Sequence, residues 1–215
     1  MKYAVLGTGM VGRAIASRLV ELGHETMMGS RSADGGAEWA DAAGDLASAG
    51  TFAEAAGFGE LVFNCTAGSG AVEAVTSAAD ALAVKVLIDV TNPIDASGDA
   101  PTLFTGIDDS LGERVQAAVP SARVVKALNT INADVMTHPG IVPGEHVCFV
   151  CGDDEDAKRT AVELLGEFGW PPERVIDCGD LTGARATEAY LLIWLKMWGA
   201  IGSARWNIAI ERGTG

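Results

Sequence analysis

Short apolar runs punctuate the N-terminal two thirds of the chain: KYAVLG (2–7), ETMMG (25–29), ELVFNCT (60–66), VKVLIDVTN (84–92), RVVKALNT (123–130) and HVCFVCG (146–152). Most are continuous rather than alternating, the pattern of strands covered on both faces. Stretches with helical periodicity lie between them, over 10–22, 35–56, 69–82 and 110–119. The last of these opens with Ser110 and Glu113, the spacing of a capping box. Regular alternation of strand and helix predicts an α/β fold with a doubly wound, mostly parallel sheet.

Beyond residue 152 the pattern changes to helix, strand, helix. Asp153 to Phe168 reads as a helix with an acidic first turn, Gly169 just past its end and Pro171 beyond, leading to the short strand RVIDCG. A long helix over Ala184 to Ile210 follows, apolar nearly all round. Lys196, Arg205 and Asn207 interrupt it and no basic loops flank it, so it is expected to be buried in protein rather than to span a bilayer. Trp194, Trp198 and Trp206 fall close to one helical face, either as core or as a subunit interface. With three of the five tryptophans there, the interface is the favoured reading.

The chain has 215 residues, 48% apolar and 20% charged, ordinary values for one substantial core. A formal charge of −14 argues against an electrostatic grip on nucleic acid or on an anionic membrane. MKYAVLG enters a strand-like run directly, with no secretory signal pattern, and the expected location is the cytoplasm. Cys65, Cys148, Cys151 and Cys178 are expected as buried thiols. Cys148 and Cys151 form a CxxC, but on a strand residues three apart point to opposite faces, and a redox pair normally opens a helix.

Chemistry concentrates after the first strand. GTGMVG supplies Gly7, Gly9 and Gly12 between a strand and a helix, with a second strand completing the unit in about 30 residues. Gly7 suits the tight turn, Gly9 the approach of backbone to a pyrophosphate, and Gly12 the close packing of helix on sheet. The helix start offers N–H groups to phosphate. A site for NAD usually ends the second strand with an acid that binds the ribose hydroxyls. Here that place holds Gly29, Ser30, Arg31 and Ser32, and the nearest acid after the strand is Asp34. Hydroxyls and a guanidinium bind a 2′-phosphate that a carboxylate would repel, so the expected cofactor is NADP.

In an open parallel sheet the ligand lies beyond the carboxyl ends of the strands. Those ends are residues 65–69, 90–93 and 128–131, and they carry hydroxyls and amides but no evident general acid and no metal-ligand pair. Transfer between two redox cofactors needs mainly two rings held at the right distance, which such a site suits better than reduction of a carbonyl or imine. Lys126 and Lys196 remain candidate proton donors for a ketone or imine reductase, and an ordered water is another. Their plainer readings are a snorkelling strand residue and the charged relief of an apolar helix. A non-catalytic NADP(H)-binding sensor is the remaining alternative.

The segments VLGTGMVGRAIASRLVELGH, MMGSRS, VVKALNTI, FVCGDDEDAKRTAVELL and DLTGARATEAYLLIWLKMWG together resemble the NADPH-dependent deazaflavin reductases, the coenzyme F420:NADP oxidoreductase family. The NADP-binding domain of the six-transmembrane metalloreductases is also similar. The resemblance implies a homodimeric Rossmann protein: an NADP-binding domain over 1–152 and a C-terminal domain over 153–215 that carries the dimer and acceptor sites. It implies hydride transfer between NADPH and a deazaflavin, with a flavin as second choice of acceptor, and a dimer formed through the last helix. Carried over by position, Thr8, Gly9, Met10 and Val11 would hold the pyrophosphate, with Gly7 and Gly12 shaping the turn, and Ser30, Arg31 and Ser32 would hold the 2′-phosphate. Thr66, Ala67, Asn92 and Pro93 would border the cofactor; Asn129, Thr130 and Ile131 would lie against the two rings, Asn129 and Thr130 being the candidate catalytic residues. Arg185 and Glu188 would pair and brace the last helix. The chain departs from the archaeal pattern at 66–70, at Asn129 and after Arg31, positions that face the acceptor or the adenosine end.

Overall fold

The computed structural model describes residues 1–98, 100–211 and 213. The first half of the chain contains β1 (Lys2–Leu6), α1 (Met10–Glu21), β2 (Glu25–Ser30), α2 (Ala37–Ala43), β3 (Ala47–Thr51), α3 (Phe52–Phe58), β4 (Leu61–Asn64), α4 (Ala71–Thr76), α5 (Ala79–Leu82), β5 (Val86–Asp89) and β6 (Ile94–Asp95). The second half contains β7 (Thr102–Leu103), α6 (Leu111–Ala118), β8 (Arg123–Ala127), α7 (Ala133–Thr137), β9 (Cys148–Gly152), α8 (Glu155–Phe168), β10 (Val175–Asp177) and α9 (Gly183–Ile201).

Eight strands form one sheet in the order β3, β2, β1, β4, β5, β8, β9, β10. Every neighbouring pair is parallel except β8 and β9, and β6 pairs with β7 in a separate hairpin. Alternate residues of each strand feed two cores. Tyr3, Val5, Phe63, Ile88, Val125 and Cys148 pack against α1, α7 and α8 on one face. Ala4, Leu6, Val62, Leu87, Val124 and Cys151 pack against α3, α4, α6 and the start of α9 on the other. Burial on both faces is why the strands read as continuous apolar runs. Cys148 and Cys151 do sit on opposite faces of the sheet. Burial pushes both thiols up to about 12.

Several expectations are corrected. The stretch 35–56 is not one helix: Gly44, at φ +91, ends α2, and Ala47–Thr51 pairs with β2 as the edge strand β3. Its residues, Ala, Ser, Ala, Gly and Thr, are too small to show a strand period. The stretch 69–82 is broken, into a short 3₁₀ turn at Gly68–Gly70, α4 and α5. The last helix stops at Ile201, because Gly202 takes up a left-handed conformation at φ +73. Trp206 therefore lies off the helix and returns to stack on Trp194 at a centroid distance of 6.0 Å. On that helix Ile193, Trp198 and Ile201 are 59%, 47% and 50% exposed in the single chain.

Another correction concerns the foot of α9. Arg185 and Glu188 do not pair with each other; each reaches back to α6. Arg185 grips Glu113 with two hydrogen bonds, of 2.8 and 2.6 Å. Glu188 accepts the Leu111 and Gly112 amides, two of the groups a helix leaves unpaired at its start. Of the expected capping box one half forms: the Glu113 amide donates to Ser110 Oγ at 3.1 Å, while the Glu113 carboxylate accepts the Ser110 hydroxyl at 2.7 Å in place of the Ser110 amide.

The Arg185 guanidinium, with the Ser110 cap, holds the Glu113 carboxyl below its usual range. A depressed carboxyl contributes stability that is complete above its unfolded value, about pH 4.3, and is lost as pH falls through the lowered folded value. Glu113→Gln is therefore expected to lose less thermal stability than the parent on acidification from about pH 5 to about pH 3. Equal losses in a pair of melting series would remove this contact from the acid limb.

Candidate functional site

The strand order reverses between β1 and β4, so the crevice of the sheet opens at their carboxyl ends. The turn after β1 tolerates no side chains where it is tightest. Gly7 sits at φ +117, and a Cβ there would lie 2.6 Å from the carbonyl oxygen of Cys65. At Gly12 a Cβ would lie 2.0 Å from the oxygen of Gly7, so helix and turn are in backbone contact. Gly9 is the opposite case: a Cβ there would meet nothing within 4 Å. It faces open space and serves as the cap of α1 without a side-chain hydrogen bond, and the first turn of α1 carries no acid. The amides at that helix start are left to whatever anion enters the crevice.

A cleft of about 910 Å³ occupies the crevice. Of the residues singled out in the sequence, Gly7, Thr8, Gly9, Ser30, Arg31, Ser32, Thr66 and Ala67 line it. Met10, exposed, and Val11, half-buried, open α1, and with Gly12 they are not among the residues that line the cleft. Ser30 Oγ donates to the Ser32 carbonyl and accepts the Ser32 amide at 3.3 Å, which closes the turn after β2. Arg31 projects from that turn, exposed, with no ion pair or hydrogen bond among the described residues.

The cleft also has walls that the sequence reading did not name. Thr51 ends β3, and Phe52 and Ala53 open α3 directly after it. Gly70, Glu73, Ala74 and Ser77 come from one side of α4. Their spacing of three, four and seven is a helical face, a signal that was present in the chain.

Asn92, Pro93, Asn129, Thr130 and Ile131 lie at the ends of β5 and β8 and do not line this cleft. They form a stiff rim. Asn92 Nδ2 donates to the Asn129 carbonyl at 2.7 Å, and Asn129 Nδ2 donates to Asn92 Oδ1 at 3.0 Å. Asn129 and Thr130 are each 2% exposed. Leu128, just before them, is held at φ +63, a conformation costing a branched residue about 1–2 kcal/mol.

Proton donors are scarce. Lys126 is neither a snorkelling strand residue nor a group facing the cleft. It is 1% exposed, with Nζ 2.8 Å from Asp89 and 2.7 Å from Glu188. Burial opposes its charge, but the two carboxylates outweigh burial and hold the ammonium above the usual lysine range. The ketone or imine reductase reading loses that donor. Lys196 is exposed on α9. The three histidines are engaged elsewhere, His24 with Glu167, His138 with Glu21, and His146 with the carbonyls of Pro139 and Val142. Burial raises the Cys65 thiol, the one sulfur on the cleft wall. No cluster of three metal-ligating side chains occurs among the described residues.

Comparison with known proteins agrees with this geometry. Residues 2–93 match the profile of the family described as NADP oxidoreductase, coenzyme F420-dependent. The crystal structure of an Arthrobacter sp. FB24 protein, described as a candidate F420-dependent NADP reductase, is 42% identical with a TM-score of 0.93. That match covers 99% of this chain and all of the other. The F420-dependent NADP reductase of Methanothermobacter marburgensis is 33% identical over 87% of this chain and 88% of its own. Rat metalloreductase STEAP3 is 32% identical over 92% of this chain, which spans 38% of that longer protein. No helix among the described residues is long and apolar enough to cross a membrane. With a crevice built for a dinucleotide and relatives matched along nearly its whole length, the chain belongs to the family of coenzyme F420-dependent NADP oxidoreductases.

Proposed function

We propose that the protein binds NADP(H) in the crevice and exchanges hydride between it and a deazaflavin of the F420 class. The observation that carries the reading is the pairing of a backbone-built crevice with an unpaired Arg31 where NAD-selective sites place an acid. When bound, the cofactor supplies a hydride at the nicotinamide C4, which the deazaflavin receives at its C5. The relatives named for this reaction support the acceptor, as does a cleft poor in acids and bases.

In this reading the residues divide by task. Gly7 and Gly12 hold the turn and helix in contact, while Thr8, Gly9 and the Met10 and Val11 amides receive the pyrophosphate. Ser30, Arg31 and Ser32 receive the 2′-phosphate, Arg31 by charge-assisted hydrogen bonds. Thr66 and Ala67 wall the far side, and Asn92, Pro93, Asn129, Thr130 and Ile131 form the fixed edge against which the rings stack. Asn129 and Thr130 act by position, since rings held in register supply most of what hydride transfer needs.

The dimer belongs to the same proposal. Leu192, Ile193, Met197, Trp198 and Ile201 leave an apolar face on α9 uncovered, with Lys196 its one charge. Tyr190 Oη, Trp194 Nε1 and Trp206 Nε1 beside it are buried without a hydrogen-bond partner among the described residues. A second copy would cover such a face in a chain whose charge of −14 otherwise keeps copies apart.

Two measurements check these statements. Anaerobic NADPH oxidation with F420, FMN and a ketone panel is expected to show F420 as the preferred acceptor; turnover of ketones alone would refute the acceptor. In the same assay Arg31→Ala should lower the preference for NADPH over NADH about tenfold or more, and a parent enzyme that prefers NADH would refute the 2′-phosphate assignment. For the dimer, sedimentation of Trp198→Asp should give a single-chain mass where the parent gives twice that; an unchanged dimer would place the contact elsewhere.

A further inference from the structure

Asp89, Lys126 and Glu188 take no part in the cofactor contacts above, yet they are sealed together inside the protein. Lys126 Nζ donates to Asp89 Oδ2 at 2.8 Å and to the Thr91 carbonyl at 2.6 Å, and pairs with Glu188 Oε1 at 2.7 Å. From Asp89 the bonds run outward to the cleft. Asn64 Nδ2 donates to Asp89 Oδ1 at 3.0 Å, and Thr66 Oγ1 donates to Asn64 Oδ1 at 2.8 Å. In the other direction Glu188 accepts the Leu111 and Gly112 amides at 2.8 and 3.0 Å. One unbroken polar path thus joins Thr66, on the cleft wall, to α9.

The direction of each bond in that path is set by charge. Every hydrogen-bond partner of the Glu188 carboxylate among the described residues is a donor: Lys126 and the two amides. Asp89 likewise meets Lys126, Asn64 Nδ2 and the Thr91 hydroxyl, which donates to it at 2.9 Å. An ionised Asp89 obliges Asn64 to turn its NH₂ inward and its oxygen toward Thr66. Thr66 must then spend its only proton on Asn64, and its lone pairs are what remain for the cleft.

We propose that Glu188, Lys126 and Asp89 are positioning residues that fix Thr66 as a hydrogen-bond acceptor facing the cleft and tie that setting to the seat of α9. The proposal rests on the reading of the cleft as the NADP(H) site. It assigns to Thr66 a ligand group that donates, a ribose hydroxyl or a carboxamide NH₂, and not a phosphate oxygen. An amide at position 188 or 89 must turn an N–H against a donor, so Glu188→Gln disturbs the path while nearly preserving shape.

The test is a double-mutant cycle on the NADPH dissociation constant, with Thr66→Val and Glu188→Gln, alone and combined. Each single variant is expected to weaken NADPH about tenfold, and the combination to be no weaker than either alone. Thr66→Ser, which keeps the hydroxyl, should bind as the parent does. Losses that multiply, or a folded Glu188→Gln with parental affinity, would overturn the proposal. Should Glu188→Gln fail to fold, amide exchange decides: NADPH should slow exchange at Leu111 and Gly112 in the parent and not in Thr66→Val. Equal slowing in both would overturn it. A parent that binds no NADPH would refute the cofactor reading itself, whereas binding with additive losses refutes this inference alone.

Discussion

One buried ammonium ties together the strands and helices that stand beside the crevice. Lys126 Nζ, on β8, lies between Asp89 at the end of β5 and Glu188 on α9, and all three side chains are out of contact with water. Taking such charges out of water costs several kcal/mol per ion. That cost is offset only because Glu188 also completes the start of α6, where the amides of Leu111 and Gly112 lack helical partners. Removing one member leaves an uncompensated charge, at a cost of about 3–5 kcal/mol. The neighbouring Glu113–Arg185 pair does similar work at the surface, where solvent screens an ion pair and weakens it. The buried cluster therefore locates β5, β8, α6 and α9 relative to one another, and the exposed pair only trims the result.

On that frame the crevice is made chiefly of backbone. Turn and helix touch at Gly7 and Gly12, the space at Gly9 is open, and the first amides of α1 are uncapped. Side chains are fewer: Arg31, its flanking serines and Thr66 line the crevice, the Asn92–Asn129 pair stands outside that lining, and the proposed function assigns discrimination to them. Such a site has little acid–base chemistry to offer and much geometry, which fits a reaction whose barrier falls when two rings are brought into register.

The sheet and the glycine turn were legible in the chain because strands buried on both faces leave continuous apolar runs and because GTGMVG follows one directly. β3 was not, since Ala47–Thr51 has no large side chain to mark a period, and the wall at Thr51–Ala53 was lost with it. The end of α9 turned on the conformation of Gly202, one glycine among apolar residues that continue the helical pattern past it. The role of Lys126 was hidden for a different reason. Its partners lie 37 and 62 residues away along the chain, and only the closing of the sheet brings them to one point. The apparent match of Arg185 to Glu188 at helical spacing failed on the same ground, because α6 offered each a better-placed partner.

The idea that the crevice works by holding two rings together is tested most directly by following one hydrogen. NADPH deuterated at the transferring C4 position is incubated anaerobically with the enzyme and F420, and the reduced deazaflavin is examined by NMR. Direct transfer between stacked rings puts the label on the ring carbon C5, even in ordinary water. Appearance of solvent hydrogen at that carbon, with the label lost from NADPH, would contradict it.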